Sequence, residues 1–315
     1  MTMALALSIQ DLGKTYRVGF RQRRVNALAG LDLAVESGSI FGFVGPNGAG
    51  KSTTIKILVG LIAPTSGSAT ILDRSIEDPR ARTAVGYLPE NPSFHDFLRP
   101  LEVLELMGRL SGMSGASLRR RSEEVLELVG LAHARELTVR KFSKGMVQRL
   151  GRAQAVMHDP PLLILDEPMS GLDPIGRKDV RDLVFELRRR GKTIFFSTHI
   201  LTDVEVVCDR VGMLLHGRLV AEGHVGQLLD GSIRAVELRC QALAPELVAE
   251  LERSASRSDR SPDAHTFVFR DVAEANAAAS EVLRNGGRVL ALQPIRETLE
   301  ESFVRLARAD AATGT

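Results

Sequence analysis

At 315 residues and 44% apolar content, the chain can bury a full core, with room for one large domain and a smaller one at roughly 100–200 residues per domain. Lys plus Arg number 41 against 39 Asp plus Glu, a net charge of +2; this excludes a nucleic-acid binder that works through one overwhelming basic field, and leaves only a local basic patch open. Two cysteines, Cys208 and Cys240, lie far apart and outside any CxxC spacing, so neither a disulfide framework nor a zinc site is expected, and a reducing cytosol suits them.

The opening "MTMALALSIQDLGKTYR" lacks a basic stretch, and Ser8, Gln10 and Asp11 break its apolar run, so it reads as a strand rather than a signal peptide. No segment approaches the roughly 20 apolar residues of a spanning helix; any service to a membrane is expected from the water side. "SIFGFVG" (39–45), "PLLILD" (161–166) and "KTIFFST" (192–198) read as buried strands, and "STTIKILVGLI" (52–62) as a helix. Near-continuous apolar strands belong to a parallel sheet covered on both faces, hence an α/β core. "RPLEVLELMGRL" (99–110) and "RRRSEEVLELVGL" (119–131) carry Leu and Val at helical spacing and predict a helical insertion, about residues 92–155. Composition shifts near residue 230. Residues 231–315 read as a small α+β domain of order βαβαβα, with "SRSDRSPDA" as a polar loop and "DAATGT" as a frayed end.

"GPNGAGKST", comprising Gly45, Pro46, Asn47, Gly48, Ala49, Gly50, Lys51, Ser52 and Thr53, fits G-x-x-x-x-G-K-[ST] and sits between a predicted strand and a predicted helix. Its glycines let successive N–H groups turn inward on phosphate oxygens at the positive end of a helix. Lys51 supplies a point charge to the β- and γ-phosphates, Ser52 a hydroxyl for magnesium, and Thr53 a donor near the α-phosphate. Asp166 ends an apolar strand, where a carboxylate can reach a magnesium shell, and Glu167 follows it directly. Adjacent acids at a strand end can divide labour, one holding metal and one polarising water; the plain alternative is two solvated acids opening a loop. His199 ends another buried strand, at the edge of a parallel sheet where ligands bind.

The phosphate loop, the helical insertion, "SKGMVQRLGRAQAVMHDPPLLILDEPMSGLDP" and "STH", in that order, resemble the nucleotide-binding domain of ABC transporters over about residues 5–230. The resemblance implies a P-loop NTPase core of ABC type that binds ATP and Mg2+, with residues 1–230 as the ATPase domain. It implies that Tyr16 stacks on adenine, and that Tyr87-Leu88-Pro89-Glu90 stands where the family has its glutamine loop, with Glu90 near the γ-phosphate and metal. Asp173 matches the loop that crosses to a partner subunit, and His199 the switch histidine. Phe142-Ser143-Lys144-Gly145-Met146 occupies the place of the signature usually spelled LSGGQ, which aims a serine hydroxyl and a glycine amide at nucleotide held by the other subunit. Ser143 and Gly145 keep those groups; Lys144 and Met146 depart, and Lys144 either approaches phosphate or projects to solvent. Gln148 is a candidate replacement for the lost glutamine contact. Glu90 in place of glutamine still offers a metal oxygen but brings negative charge toward the γ-phosphate.

Further implications are head-to-tail pairing as homodimer or heterodimer, catalysis by Glu167, His199 and Lys51, and a magnesium site at Ser52, Asp166 and Glu90. The acid at 90, the signature lysine and the C-terminal block resemble ATPases of drug, lipid or polysaccharide exporters with separate permease chains. A multi-span permease partner, a position on the cytoplasmic face of the membrane and no nucleic-acid partner are therefore expected. Phe94, Phe97 and Leu98 are either permease anchors or core of the insertion. The rival reading is a soluble ABC ATPase acting on ribosomes or DNA; a third, an inactive regulatory subunit, sits badly with intact Lys51, Asp166, Glu167 and His199.

Overall fold

A computed structural model of the chain describes residues 4–19, 23–229, 233–261, 263–295 and 298–305. Its first unit, up to Val225, runs β1 (Leu5–Val18), β2 (Arg23–Glu36), β3 (Ile40–Val44), α1 (Lys51–Leu58), β4 (Ser66–Ile71), β5 (Arg74–Ser75), β6 (Val85–Leu88), α2 (Pro100–Leu110), α3 (Gly115–Leu128), α4 (Lys144–Val156), β7 (Leu162–Asp166), α5 (Pro174–Arg189), β8 (Thr193–Thr198), α6 (Leu201–Val207), β9 (Arg210–Leu215) and β10 (Arg218–His224).

The strands β3, β7 and β8 are buried at every position, which places them in the middle of a sheet of order β10-β9-β3-β8-β7-β6. All its neighbours pair in parallel except β10, which folds back antiparallel on β9. The carboxyl ends of β3, β7 and β8 therefore lie at one edge, the position where open α/β sheets bind ligands. A second, antiparallel sheet of order β2-β1-β4-β5 contributes Leu7, Leu12, Leu31 and Val35 to a core shared with Phe41, Phe43, Ile55, Leu58, Ile164 and Phe195. Phe195 stacks on Phe41 at 5.9 Å and tilts against Phe43 at 5.3 Å; each such fully buried side chain contributes about 1.5–3 kcal/mol. The helix predicted to reach residue 62 stops at Leu58, because Gly60 turns into the left-handed region at φ +73°. Helices α2, α3 and α4 form the insertion, with Val103, Leu104, Leu118, Val125 and Leu150 buried.

α7 (Val225–Leu229) leads into the second unit, Gly226–Arg305, so the units part ahead of the 230/231 boundary read from composition. This unit contains β11 (Ala235–Gln241), α8 (Pro245–Ser254), β12 (Arg257–Ser261), β13 (Ala264–Phe269), α9 (Val272–Arg284) and β14 (Arg288–Ile295), followed by a helical stretch at 299–305. Its antiparallel sheet has the order β12-β13-β11-β14. Val236, Leu238, Phe267 and Phe269 pack there with Leu247 and Leu251 of α8 and Ala275 and Val282 of α9. The predicted polar loop at 256–264 is instead largely strand: β12, exposed along its length, pairs with β13 from Arg257↔Val268 to Ser261↔Ala264. An edge strand solvated on both faces lacks the alternation that marks a strand in sequence. The order is thus βαββαβα. The tail "DAATGT" lies outside the described residues. Among the described residues no helix is long and apolar enough to cross a membrane.

Candidate functional site

β3 ends at Val44, and the chain turns through Gly45–Gly50 into α1. Gly50, the residue before the helix, has φ +115°, and a Cβ there would lie 2.6 Å from the Ala27 carbonyl oxygen, so only glycine makes this turn. Gly48 is also left-handed, at φ +82°, but a Cβ on it would meet nothing within 4 Å; its backbone faces open space. No side chain caps α1, which leaves its first N–H groups open to an anion. The loop thus forms the floor of a cleft of about 280 Å³.

The cleft is lined by Pro46, Asn47, Gly48, Gly50, Lys51, Ser52 and Thr53, together with Glu90, Glu167 and His199 from three other segments. Lys51 is only 4% exposed, and its ammonium donates to the carbonyls of Gly45 at 2.6 Å and Pro46 at 3.3 Å while lying 3.4 Å from Glu167 Oε1. A buried ammonium needs such partners. The other Glu167 oxygen, Oε2, is 2.9 Å from His199 Nδ1. Glu167 holds φ +50°, a left-handed conformation costly for a non-glycine residue and characteristic of functional turns. Asp166, buried at the end of β7, accepts a hydrogen bond from Ser52 Oγ at 3.4 Å and one from Ser197 Oγ at 2.6 Å. Tyr87 on β6 is pushed up to about 12, chiefly by burial and further by the Asp166 carboxylate, so its phenol stays protonated at neutral pH.

Among the described residues no group of three or more His, Cys, Asp or Glu side chains converges as a metal cage. The donors on hand, the Asp166 carboxylate beside the Ser52 hydroxyl, with Glu90 on the cleft wall, suit Mg2+, which takes one or two carboxylates and completes its shell with phosphate and water. The open glycine backbone and the uncapped helix suit a triphosphate.

Other predicted residues fall elsewhere. Tyr16 is not in the cleft lining; it lies on β1 opposite Val25, with the Lys14 ammonium 5.3 Å from its ring centroid. Asp173 caps α5, accepting from the Gly176 N–H at 2.7 Å. Ser143 caps α4, accepting from the Met146 N–H at 3.3 Å; with Lys144 it is exposed, while Gly145 and Met146 are half-buried, and none of the four lines the cleft. Gln148 is buried and spends its amide on the Glu90 carbonyl at 2.9 Å, so it ties α4 to the segment after β6 instead of standing in for the missing glutamine. Phe97 is 74% exposed, Phe94 and Leu98 half-buried. Sequence reasoning missed Ala27 and Ser170, which also line the cleft, and Ser197; each arrives through strand register or a turn, with no local pattern to mark it.

A glycine-rich loop between a parallel strand and a helix, with a buried lysine and an Asp-Glu pair across the cleft, defines the phosphate-loop nucleoside triphosphatases. The ABC transporter family profile matches residues 28–170. An uncharacterized ABC transporter ATP-binding protein of Synechocystis is 39% identical, covering 95% of this chain and 83% of its own. The daunorubicin/doxorubicin resistance ATP-binding protein of Streptomyces peucetius is 35% identical, over 89% of this chain and 87% of that protein. An ATP-binding cassette solved as a dimer in a post-hydrolysis state with ADP and Pi superposes with a TM-score of 0.64 at 26% identity, covering 70% of this chain and 98% of that one. The chain belongs to the ATP-binding proteins of ABC transporters: it is an ATP-binding, ATP-hydrolysing subunit with the ABC ATPase fold and an added α+β domain.

Proposed function

We propose that this subunit works as a head-to-tail pair, of identical or of related chains, each ATP held between Gly45–Thr53 of one copy and Ser143–Gly145 of the other, and that the pair drives a separate multi-span permease in export from the cytoplasmic face of the membrane. The observation that carries this reading is the division of the site. Lys51, Glu167 and His199 gather around one cleft, whereas Ser143, Lys144, Gly145 and Met146 line no part of it. One chain supplies half of each site.

In this reading the α1 amides and Lys51 bind the phosphates, and Asp166, Ser52 and Glu90 would hold Mg2+. The metal, when bound, neutralises charge on the β- and γ-phosphates. Glu167 accepts a hydrogen bond from the attacking water and takes its proton as the oxygen bonds to the γ-phosphorus and ADP departs, while His199 donates to the transferring phosphoryl group. Lys51 Nζ and Glu167 Oε1 lie 3.4 Å apart, so a triphosphate that draws the ammonium competes with this contact and frees the carboxylate for water. Tyr16, whose ring has the Lys14 ammonium 5.3 Å from its centroid, would stack on adenine. Asp173 meets the partner from the start of α5, and exposed Phe97 offers an apolar contact to the permease. Export is supported by the drug-resistance relative and by the acid at position 90.

The test is Glu167→Gln. It keeps the shape and removes the base, so an ATP-dependent dimer should persist on size exclusion with hydrolysis reduced about 10²-fold or more. Hydrolysis at the unsubstituted rate would remove Glu167 from this role. Recovery of the subunit from membranes with a multi-span protein supports the permease, whereas recovery with ribosomes or DNA favours the rival.

A further inference from the structure

Among the described residues, Ser197 is the one hydroxyl that touches both members of the Asp-Glu pair. It lies in β8, within Thr193–Thr198, a strand otherwise built from Ile194, Phe195 and Phe196 and flanking threonines, and it is fully buried. Parallel pairing sets it in register with Asp166. Its Oγ is 2.6 Å from Asp166 Oδ1 and 3.0 Å from the backbone nitrogen of Glu167. The roles at both contacts are fixed by chemistry: the Glu167 N–H can only donate, so Ser197 Oγ accepts there, and its own hydrogen goes to the Asp166 carboxylate.

We propose that Ser197 is a positioning residue for ATP hydrolysis, a single buried hydroxyl that clamps the metal-side carboxylate and the backbone of the water-side carboxylate in one geometry. The proposal rests on the reading of Asp166 and Glu167 given above. Two consequences follow from the contacts. At Asp166, the Ser197 hydrogen bond fixes the oxygen that also meets Ser52, so the carboxylate keeps one orientation toward a cation. At Glu167, β7 has ended and the residue has swung to φ +50°; its N–H is satisfied by Ser197, which supports the bend that aims the side chain at Lys51 and His199. Neither contact belongs to the phosphate-binding loop. Loss of Ser197 should therefore act on turnover and on metal use rather than on ATP binding.

Three full-length variants test this: Ser197→Ala, Ser197→Thr, and Glu167→Gln as the reference for loss of the base. For Ser197→Ala, kcat should fall about 10–100-fold, as for removal of a residue that orients a metal or catalytic ligand, with KM for ATP within about twofold and the Mg2+ concentration for half-maximal rate raised several-fold. Ser197→Thr keeps the hydroxyl and should restore kcat to within about threefold of the unsubstituted chain. A Ser197→Ala chain with kcat within about twofold of the original overturns the proposal, as does one that loses ATP binding in step with turnover, or a folded Thr variant as slow as the Ala variant at unchanged KM. Failure of the underlying reading looks different: Glu167→Gln would then hydrolyse normally, whereas a slow Glu167→Gln beside an unaffected Ser197→Ala removes only the role of Ser197.

Discussion

Gly45–Thr53 and Phe142–Met146 each place glycine and a hydroxyl at the start of a helix, α1 and α4, yet the two starts are built differently. α1 carries no side-chain cap, and the groups around it are withdrawn from water, Lys51 and Asp166 at 4% and Glu167 at 8% exposure. Charges so placed need partners, and Glu167 has them in the Lys51 ammonium and the His199 ring nitrogen. At α4, Ser143 already caps the helix, and it and Lys144 face solvent. Because Ser143 Oγ accepts from the Met146 N–H, its own hydrogen remains free to donate outward. The first segment is a charged cradle whose buried groups find partners within the chain; the second is a capped helix start whose hydroxyl faces solvent.

The largest effect expected from this contrast is complementation. Lys51→Ala removes the ammonium that lines the cleft and should cut hydrolysis about 10²–10³-fold, the range for a lost preorganised donor. Ser143→Ala should also be poor in turnover, about tenfold or more below the unsubstituted chain. Mixed in one tube, the two dead chains can pair so that an intact cradle from one meets an intact Ser143 from the other. Phosphate release should then return toward one working site per pair. If the mixture stays as inactive as its parts, the signature does not act across subunits. The Ser143→Ala chain alone sharpens the same contrast on a smaller scale: loss of the cap costs about 1 kcal/mol of stability, while ATP affinity of the isolated subunit, measured by fluorescent-nucleotide titration, should stay within about twofold. A large affinity loss would mean that Ser143 serves the nucleotide of its own chain.

The same contrast explains what could be read from sequence. The glycine loop and the acid at the end of "LLILD" are local patterns, a bend forced between strand and helix and a charge closing an apolar run, so neighbouring residues suffice to find them. Ser197 is the opposite case. Within "TIFFSTH" nothing separates it from a serine buried for packing; its meaning comes from the β7–β8 register that puts it opposite Asp166. Ala27 enters the cleft wall from β2 and Gln148 ends on the Glu90 carbonyl, both through contacts between distant segments. β12 escaped for another reason: "RSDRS" is polar throughout, and it is a strand only because β13 pairs with it. Local chemistry was legible; the pairing of distant segments was not.

The smallest expected effect concerns Lys144. It opens α4 as its first helical residue, where a cation opposes the helix dipole by about 0.3–1 kcal/mol. Its side chain is exposed and extends over the turn between β7 and α5, where a Cβ on Gly171 would stand 3.4 Å from the ammonium. That placement points Lys144 at its own chain. Lys144→Ala removes the unfavourable charge while keeping a good helix former, so the unfolding midpoint should hold or rise slightly, with ATP affinity and hydrolysis within about twofold. Raising salt should narrow the stability difference, since the dipole term is screened. A fivefold or larger loss of ATP affinity in the paired subunits, but not in the isolated chain, would instead assign the ammonium to the partner's phosphates, about 1 kcal/mol of attraction. The signature would then share the work of Lys51 across the dimer, and the contrast between a charged cradle and a neutral donor surface would fail at this one residue.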